Sequence, residues 1–234
     1  MRIIAGADGC RAGWICVTQD QDTGVIRSGV YPDANALIFQ EPEPVVLALD
    51  IPIGLSEAGP RLCDQEARKH LAPLRHSSTF SPSIRSALHA ETRAEASTLM
   101  QLTDGRRVSV QAWGIVPKIR EVDAILCAEP QLQGRVREGH PEVSFWAWNR
   151  NRPMAFAKRT RAGREERVRQ VRRSFRNAFE SIRCLYRVSD VADDDILDAL
   201  ALLWTAERIE CGISEGLPQK PPTDEAGLRM EIMY

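Results

Sequence analysis

Residues 45–49 read Val-Val-Leu-Ala-Leu, an unbroken apolar run between a proline-rich break, Glu41-Pro42-Glu43-Pro44, and Asp50-Ile51-Pro52. A run this short, with turn signals at both ends, fits a strand covered on both faces, and such a strand needs helices above and below its sheet. The residues before it supply neighbours. Segments 2–7, 13–18 and 25–31 read as strands, with the hairpin turn signal Asp22-Thr23-Gly24 before the third, and together they make an antiparallel meander. A short helix near 33–39 follows. The order strand, strand, strand, helix, strand makes the fourth strand parallel to the first through a helical crossover. The fold class is therefore α/β with a mixed sheet, and Asp8 and Asp50 stand at the same end of neighbouring strands.

The stretch from about 55 to 132 reads as a helical insertion after strand four, with helices over 61–71, 87–101 and 117–127 and with Pro60, Pro73, Pro82 and Gly105 as breakers. Residues 135–138 make a short fifth strand ahead of His140-Pro141-Glu142. Beyond it, 163–183 carries Val168, Val171, Phe175, Phe179 and Ile182 at helical spacing, with arginines over the rest of the surface. A second helix, 193–210, is rich in Ala and Leu and ends before Gly212. The tail is extended over 218–223 and forms an edge strand over 228–233. At 234 residues, with no internal repeat, the chain is expected to be a single domain whose core needs no covalent staple.

The formal net charge is −1, but its distribution is uneven. Residues 150–187 hold thirteen Lys and Arg against three acids, and 188–234 hold eleven acids against three bases. The basic helix suits either a phosphate backbone or a solvated face. Six scattered cysteines show neither zinc-ligand spacing nor a disulfide framework. With no signal-peptide core and no apolar run long enough for a membrane span, the expected location is cytoplasmic. The tryptophans are expected in the core, with Trp146 and Trp148 the candidates for base stacking.

Chemistry is concentrated in the acids. Asp8 precedes Gly9 at a strand end, a place that suits a site residue or a plain turn equally. Asp50 closes an apolar run, where a carboxylate is costly to desolvate unless a cation or donor faces it. Asp195 and Asp198 are three apart on the late helix and project from one face. Acids in a first helical turn are explained by capping and the helix dipole, but Asp198 lies a turn further in, among Ile, Leu and Ala. Candidate phosphate contacts are Arg11, Arg61, Arg75, Arg85, Lys118 and Lys158. Lys118 suits either a contact near the metal site or an ion pair within its own helix.

Asp8, Asp50 and the Asp195-Ile196-Leu197-Asp198-Ala199-Leu200-Ala201 run together resemble the carboxylate set of RNase H-like nucleases of the RuvC branch. Nearly the whole chain is similar to the domain of unknown function family 429, described as predicted nucleases. The matching segments include Gly6-Ala7-Asp8-Gly9-Cys10-Arg11, Leu49-Asp50-Ile51-Pro52, Arg61-Leu62-Cys63-Asp64, Pro117-Lys118-Ile119-Arg120 and His140-Pro141-Glu142. The resemblance implies an RNase H-like fold with a mixed five-stranded sheet, flanking helices and the insertion after strand four. It also implies Mg²⁺ or Mn²⁺ held by Asp8, Asp50, Asp195 and Asp198, with Lys118 and Glu142 as further catalytic residues. The expected activity is two-metal hydrolysis of DNA or RNA, with a homodimer as a possible assembly.

The second carboxylate is often Glu in such enzymes, and here it is the shorter Asp50. Two other readings stay open on sequence. A nucleotide hydrolase or phosphotransferase would share the core but usually doubles the domain. A non-catalytic binding module would keep the fold and ignore chelators.

Overall fold

A computed structural model describes residues 2–234. Five strands, β1 (Ile3–Cys10), β2 (Gly13–Asp20), β3 (Ile26–Tyr31), β4 (Val46–Leu49) and β5 (Val136–Glu138), form one sheet in the order β3-β2-β1-β4-β5. β1 and β2 pair antiparallel, as do β2 and β3, whereas β1–β4 and β4–β5 are parallel. The helical crossover expected between β3 and β4 is α1 (Ala34–Ile38), capped by the Asp33 carboxylate on Ala36 N–H. This mixed α/β arrangement is consistent with an RNase H-like fold.

Register places the acids. Ala7 lies opposite Leu49, and Asp50 N–H donates to Ala7 O at 3.1 Å, so Asp8 and Asp50 follow in step. Side chains alternate along a strand. Ile4 and, on β4, Val46 and Ala48 pack on one face, against α8 (Asp193–Glu210). Asp8 and Asp50 continue that parity and lean toward the same helix. Ala5, Ala7, Leu47 and Leu49 face the other way, onto α1 and α4 (Val110–Ala128).

Gly6 sets how close α8 can come. A Cβ there would lie 2.1 Å from Leu203 N and 2.4 Å from Ala199 O, so only glycine lets the helix backbone press on β1. Ala199 and Ala201 on α8 are fully buried in the same core.

Between β4 and β5 the chain inserts α2 (Leu62–Leu71), α3 (Arg93–Asp104) and α4. The helix expected at 87–101 starts later because Thr92 Oγ1 caps Glu95 N–H, and it stops at Gly105, whose φ is +75°. The helix expected at 117–127 starts earlier, capped by Ser109, and carries Pro117 inside it. After β5 comes α5 (Pro141–Trp148), so Glu142 lies in a first helical turn and not at a strand end. The single helix expected over 163–183 is two, α6 (Arg161–Phe175) and α7 (Ala178–Arg183). Arg176, at φ +48°, turns the chain between them, and Phe175, Phe179 and Ile182 all reach the core. The edge strand expected over 228–233 shrinks to β7 (Ile232–Met233), which pairs with β6 (Gly216–Leu217).

Trp146 and Trp148 are packing residues and not stacking platforms. Trp146 sits between His70 and Tyr234, and Trp148 stacks on Trp204 with ring centroids 5.1 Å apart. Among the described residues no helix is long and apolar enough to cross a membrane.

Candidate metal centre

Three carboxylates converge where β1, β4 and α8 meet. One oxygen from each of Asp8, Asp50 and Asp198 lies within 4.8 Å of the others. Asp198 is 1% exposed and Asp8 9%. Asp8 Oδ1 accepts from Gly9 N–H at 2.7 Å, and Asp198 Oδ2 accepts from Lys158 Nζ at 2.6 Å. Asp198 Oδ1 is buried with no hydrogen-bond partner among the described residues.

The charges do not balance. Three acids face one ammonium, and buried like charges resist ionisation. Burial first, then Asp50 and Asp198, hold the Asp8 carboxyl well above its ordinary range. Burial and then Asp198 push Asp50 up to about 7. Lys158 is held above its ordinary range, chiefly by Asp198.

The donor set fits a hard cation. Calcium and magnesium take oxygen ligands at about 2.0–2.6 Å, which places oxygens on opposite sides of an ion about 4–5 Å apart. The 4.8 Å span and the unpartnered Asp198 Oδ1 match that requirement. Asp8, Asp50 and Asp198 can therefore hold a metal ion.

Asp195 stands outside this triad. Its Oδ2 accepts from Ala192 N–H at 2.8 Å and caps α8, with burial pushing the carboxyl to about 6. The Asp195/Asp198 pair read as ligands is one cap and one cluster member. Glu142 lies near enough to raise Asp50, but its Oε1 is bound by Arg167, and both side chains are buried. Its Oε2 has no partner among the described residues.

The cations divide into those at the site and those that hold the fold. Lys158 pairs with Asp198, and Lys118 lines the same cavity. Of the two alternatives drawn for Lys118, the ion pair within its own helix does not form, because Nζ donates to Gly13 O at 2.6 Å and lies 4.2 Å from the Trp14 ring centroid. Glu121 instead accepts from Ala34 N–H. Arg75 also lines the cavity, donating to Met154 O and Ala155 O, both at 3.0 Å.

Arg61 borders the cavity but is 2% exposed and fully engaged by Asp64, Glu138, Ile53 O and Gly54 O. With its donors taken it fixes the loop after Asp50 and is not a free phosphate contact. Arg85 is held by Asp123 and Asp224 in the same way. Arg11 is exposed in the β1–β2 turn. On the basic helix, Arg164 pairs with Asp193, Arg172 with Glu180, and Arg167 is buried. Much of that stripe is neutralised by its own neighbours.

The sequence reading missed Phe80, His140 and Arg159, which line the cavity. His140 Nε2 lies 3.4 Å from Thr79 Oγ1, and burial lowers its basicity. The signal in the sequence is the His140-Pro141-Glu142 unit, whose imidazole as well as its acid lines the cavity.

The fold and site together define an α/β protein of RNase H-like topology with a buried three-carboxylate centre able to take a metal ion. The chain belongs to the DUF429 family, proteins of unknown function, whose pattern matches residues 6–223. No curated protein and no solved structure matches it.

Proposed function

We propose that the protein is a divalent-metal-dependent nuclease or phosphodiesterase acting on DNA or RNA, with Mg²⁺ or Mn²⁺ at the carboxylate centre. The observation that carries this reading is the meeting of Asp8, Asp50 and Asp198 on one face of the sheet, with an unpartnered buried oxygen on Asp198. An all-oxygen donor set favours these ions over zinc. When bound, such ions acidify water and neutralise charge on a leaving oxygen.

The chain's own groups set the rest. Lys158, about two-fifths exposed at its side chain, pairs with Asp198 and lines the cavity, where its ammonium would meet an incoming phosphate. Lys118, packed against Gly9, adds a second positive charge to the cavity. Hydrolysis consumes one water. Its oxygen forms the new P–O bond, the bond to the leaving 3′ oxygen breaks with its electron pair, and that oxygen takes up a proton. Asp8, Asp50 and Asp198 would hold one ion, and Asp195, whose Oδ2 caps Ala192 N–H, would be the nearest further acid on the same helix for a second.

The test is cleavage of labelled single-stranded, duplex and branched DNA and RNA with Mg²⁺, Mn²⁺ or EDTA, comparing wild type with Asp8→Asn and Asp198→Asn. Metal-dependent cutting lost in both variants is the expected result. Cutting that persists in EDTA or in the variants would refute the reading. Nucleotide turnover without polynucleotide cleavage would reassign the site to a nucleotide hydrolase or phosphotransferase.

A further inference from the structure

We propose that the site admits a single nucleotide at the free end of a strand, so that cleavage proceeds inward from a terminus and does not occur within a duplex. This rests on the phosphodiesterase reading above and narrows its substrate.

Depth is the first argument. The reacting phosphate must reach Asp8 and Asp198, yet these are 9% and 1% exposed, at the floor of a cavity of about 570 Å³. That volume lies within the roughly 300–1,000 Å³ of pockets that enclose one small ligand. A duplex presents its phosphates on the outside of a rigid rod, and a rod has no way to lower one phosphate to such a floor.

The walls are the second argument. They come from three separate stretches of chain: the insertion loop through Arg75 and Phe80, Lys118 on α4, and Lys158 with Arg159 ahead of α6. Arg75 joins two of them, because its guanidinium sits on the insertion loop and donates to Met154 O and Ala155 O. A strand crossing an open groove needs an exit on each side of the reacting phosphate. Here one side is bridged, and a chain end avoids the need for a second exit.

The lining chemistry is the third. Lys118, Lys158, Arg159 and Arg75 supply positive charge around the acids, which suits a phosphate. Phe80 is an exposed aromatic, 36% accessible, on the wall of this cavity, which Ile51 and Ile115 also line. An exposed ring beside a phosphate site offers a face on which a base of any identity can stack.

The experiment uses the full chain with Mg²⁺ or Mn²⁺ on a linear single strand, the same strand closed into a circle, and a blunt duplex, each as DNA and RNA. The expected result is stepwise shortening of the linear strand to mononucleotides, with the circle left intact. Phe80→Ala should lower kcat/KM on the linear strand by about tenfold, through KM, the scale of one lost stacking contact. Because Phe80 is exposed, its truncation leaves the core filled. Arg75→Ala should open the bridged wall and allow the circle to be nicked.

Nicking of the circle by wild type at a rate comparable to the linear strand would overturn the proposal while leaving the nuclease reading intact. Unchanged kinetics in Phe80→Ala would overturn the assignment of the ring. Absence of cutting on every substrate would sink both readings, and is told apart from the first failure by the intact linear strand.

Discussion

Replacing Asp50 with Asn should make the metal-free protein more stable and the metal-loaded protein less so. In the folded chain the Asp50 carboxyl is pushed from an ordinary value of 3.8 to about 7, by burial and then by Asp198. At 1.36 kcal/mol per tenfold, that displacement amounts to about 4 kcal/mol. Asp50 is partly open to solvent and shares its repulsion with Asp8, so about 2 kcal/mol is the better figure.

The sign follows from proton binding. The folded state holds the proton more tightly than the unfolded state, so Asp50's contribution is fully favourable below about pH 4 and is lost as pH rises through about 7. Asn has no such proton. The two proteins should unfold alike near pH 4, and in EDTA the variant should pull ahead, reaching its full advantage above pH 7. Mg²⁺ reverses the order, because wild type gains about 2.7 kcal/mol at a hundredfold excess over Kd and the variant has lost a ligand. Urea unfolding at pH 4 and pH 8, with EDTA and with Mg²⁺, reads all four values. A variant less stable than wild type in EDTA at pH 8, or one that keeps the full Mg²⁺ stabilisation, would refute the assignment of Asp50 as a repelled ligand.

Mg²⁺ affinity, followed by calorimetry, should fall by about tenfold or more per pH unit below 7, because the ion must displace protons from Asp50 and from Asp8, whose carboxyl is also held above its ordinary range; a flat profile would contradict this. Arg61→Met leaves Asp64 and Glu138 buried without their partner and should cost about 3–5 kcal/mol in urea unfolding, whereas a loss below 1 kcal/mol would show the triad to be dispensable. Gly6→Ala sets a methyl against Ala199 O and Leu203 N, and should destabilise the fold by about 3 kcal/mol or more, or prevent soluble expression; near-normal stability would mean that α8 sits further from the sheet.

Asp50 and Asp198 were legible in the sequence because each is a carboxylate set against an apolar pattern, whereas Asp8, equally suited to a plain turn, gained weight only from standing beside Asp50. Strand order followed from the meander and the buried run at 45–49. Other parts depend on partners that sequence distance conceals. Arg61 looked like a free cation because Glu138, which engages it, lies 77 residues away, and Arg85 because Asp224 lies 139 away. Asp195 and Asp198 share one helix face, and only a local hydrogen bond to Ala192 N–H separates cap from cluster member. The break at Arg176, where φ is +48°, carries no glycine or proline to announce it, and Phe175 and Phe179 on either side of it both reach the core. The burial of Trp146 and Trp148 likewise depends on where α5 lies against α2, α6 and α8, which no periodicity within the eight residues of α5 reveals.

The close seat of α8 on β1 ties the centre to the completion of folding. Asp8 and Asp50 come from the first strands to be synthesised, and Asp198 from the last long helix, which can dock only as the backbone contact at Gly6 closes. Until then a growing or damaged chain carries two acids that repel one another and no third donor to finish a cage. Ion capture at this centre would thus report a finished molecule.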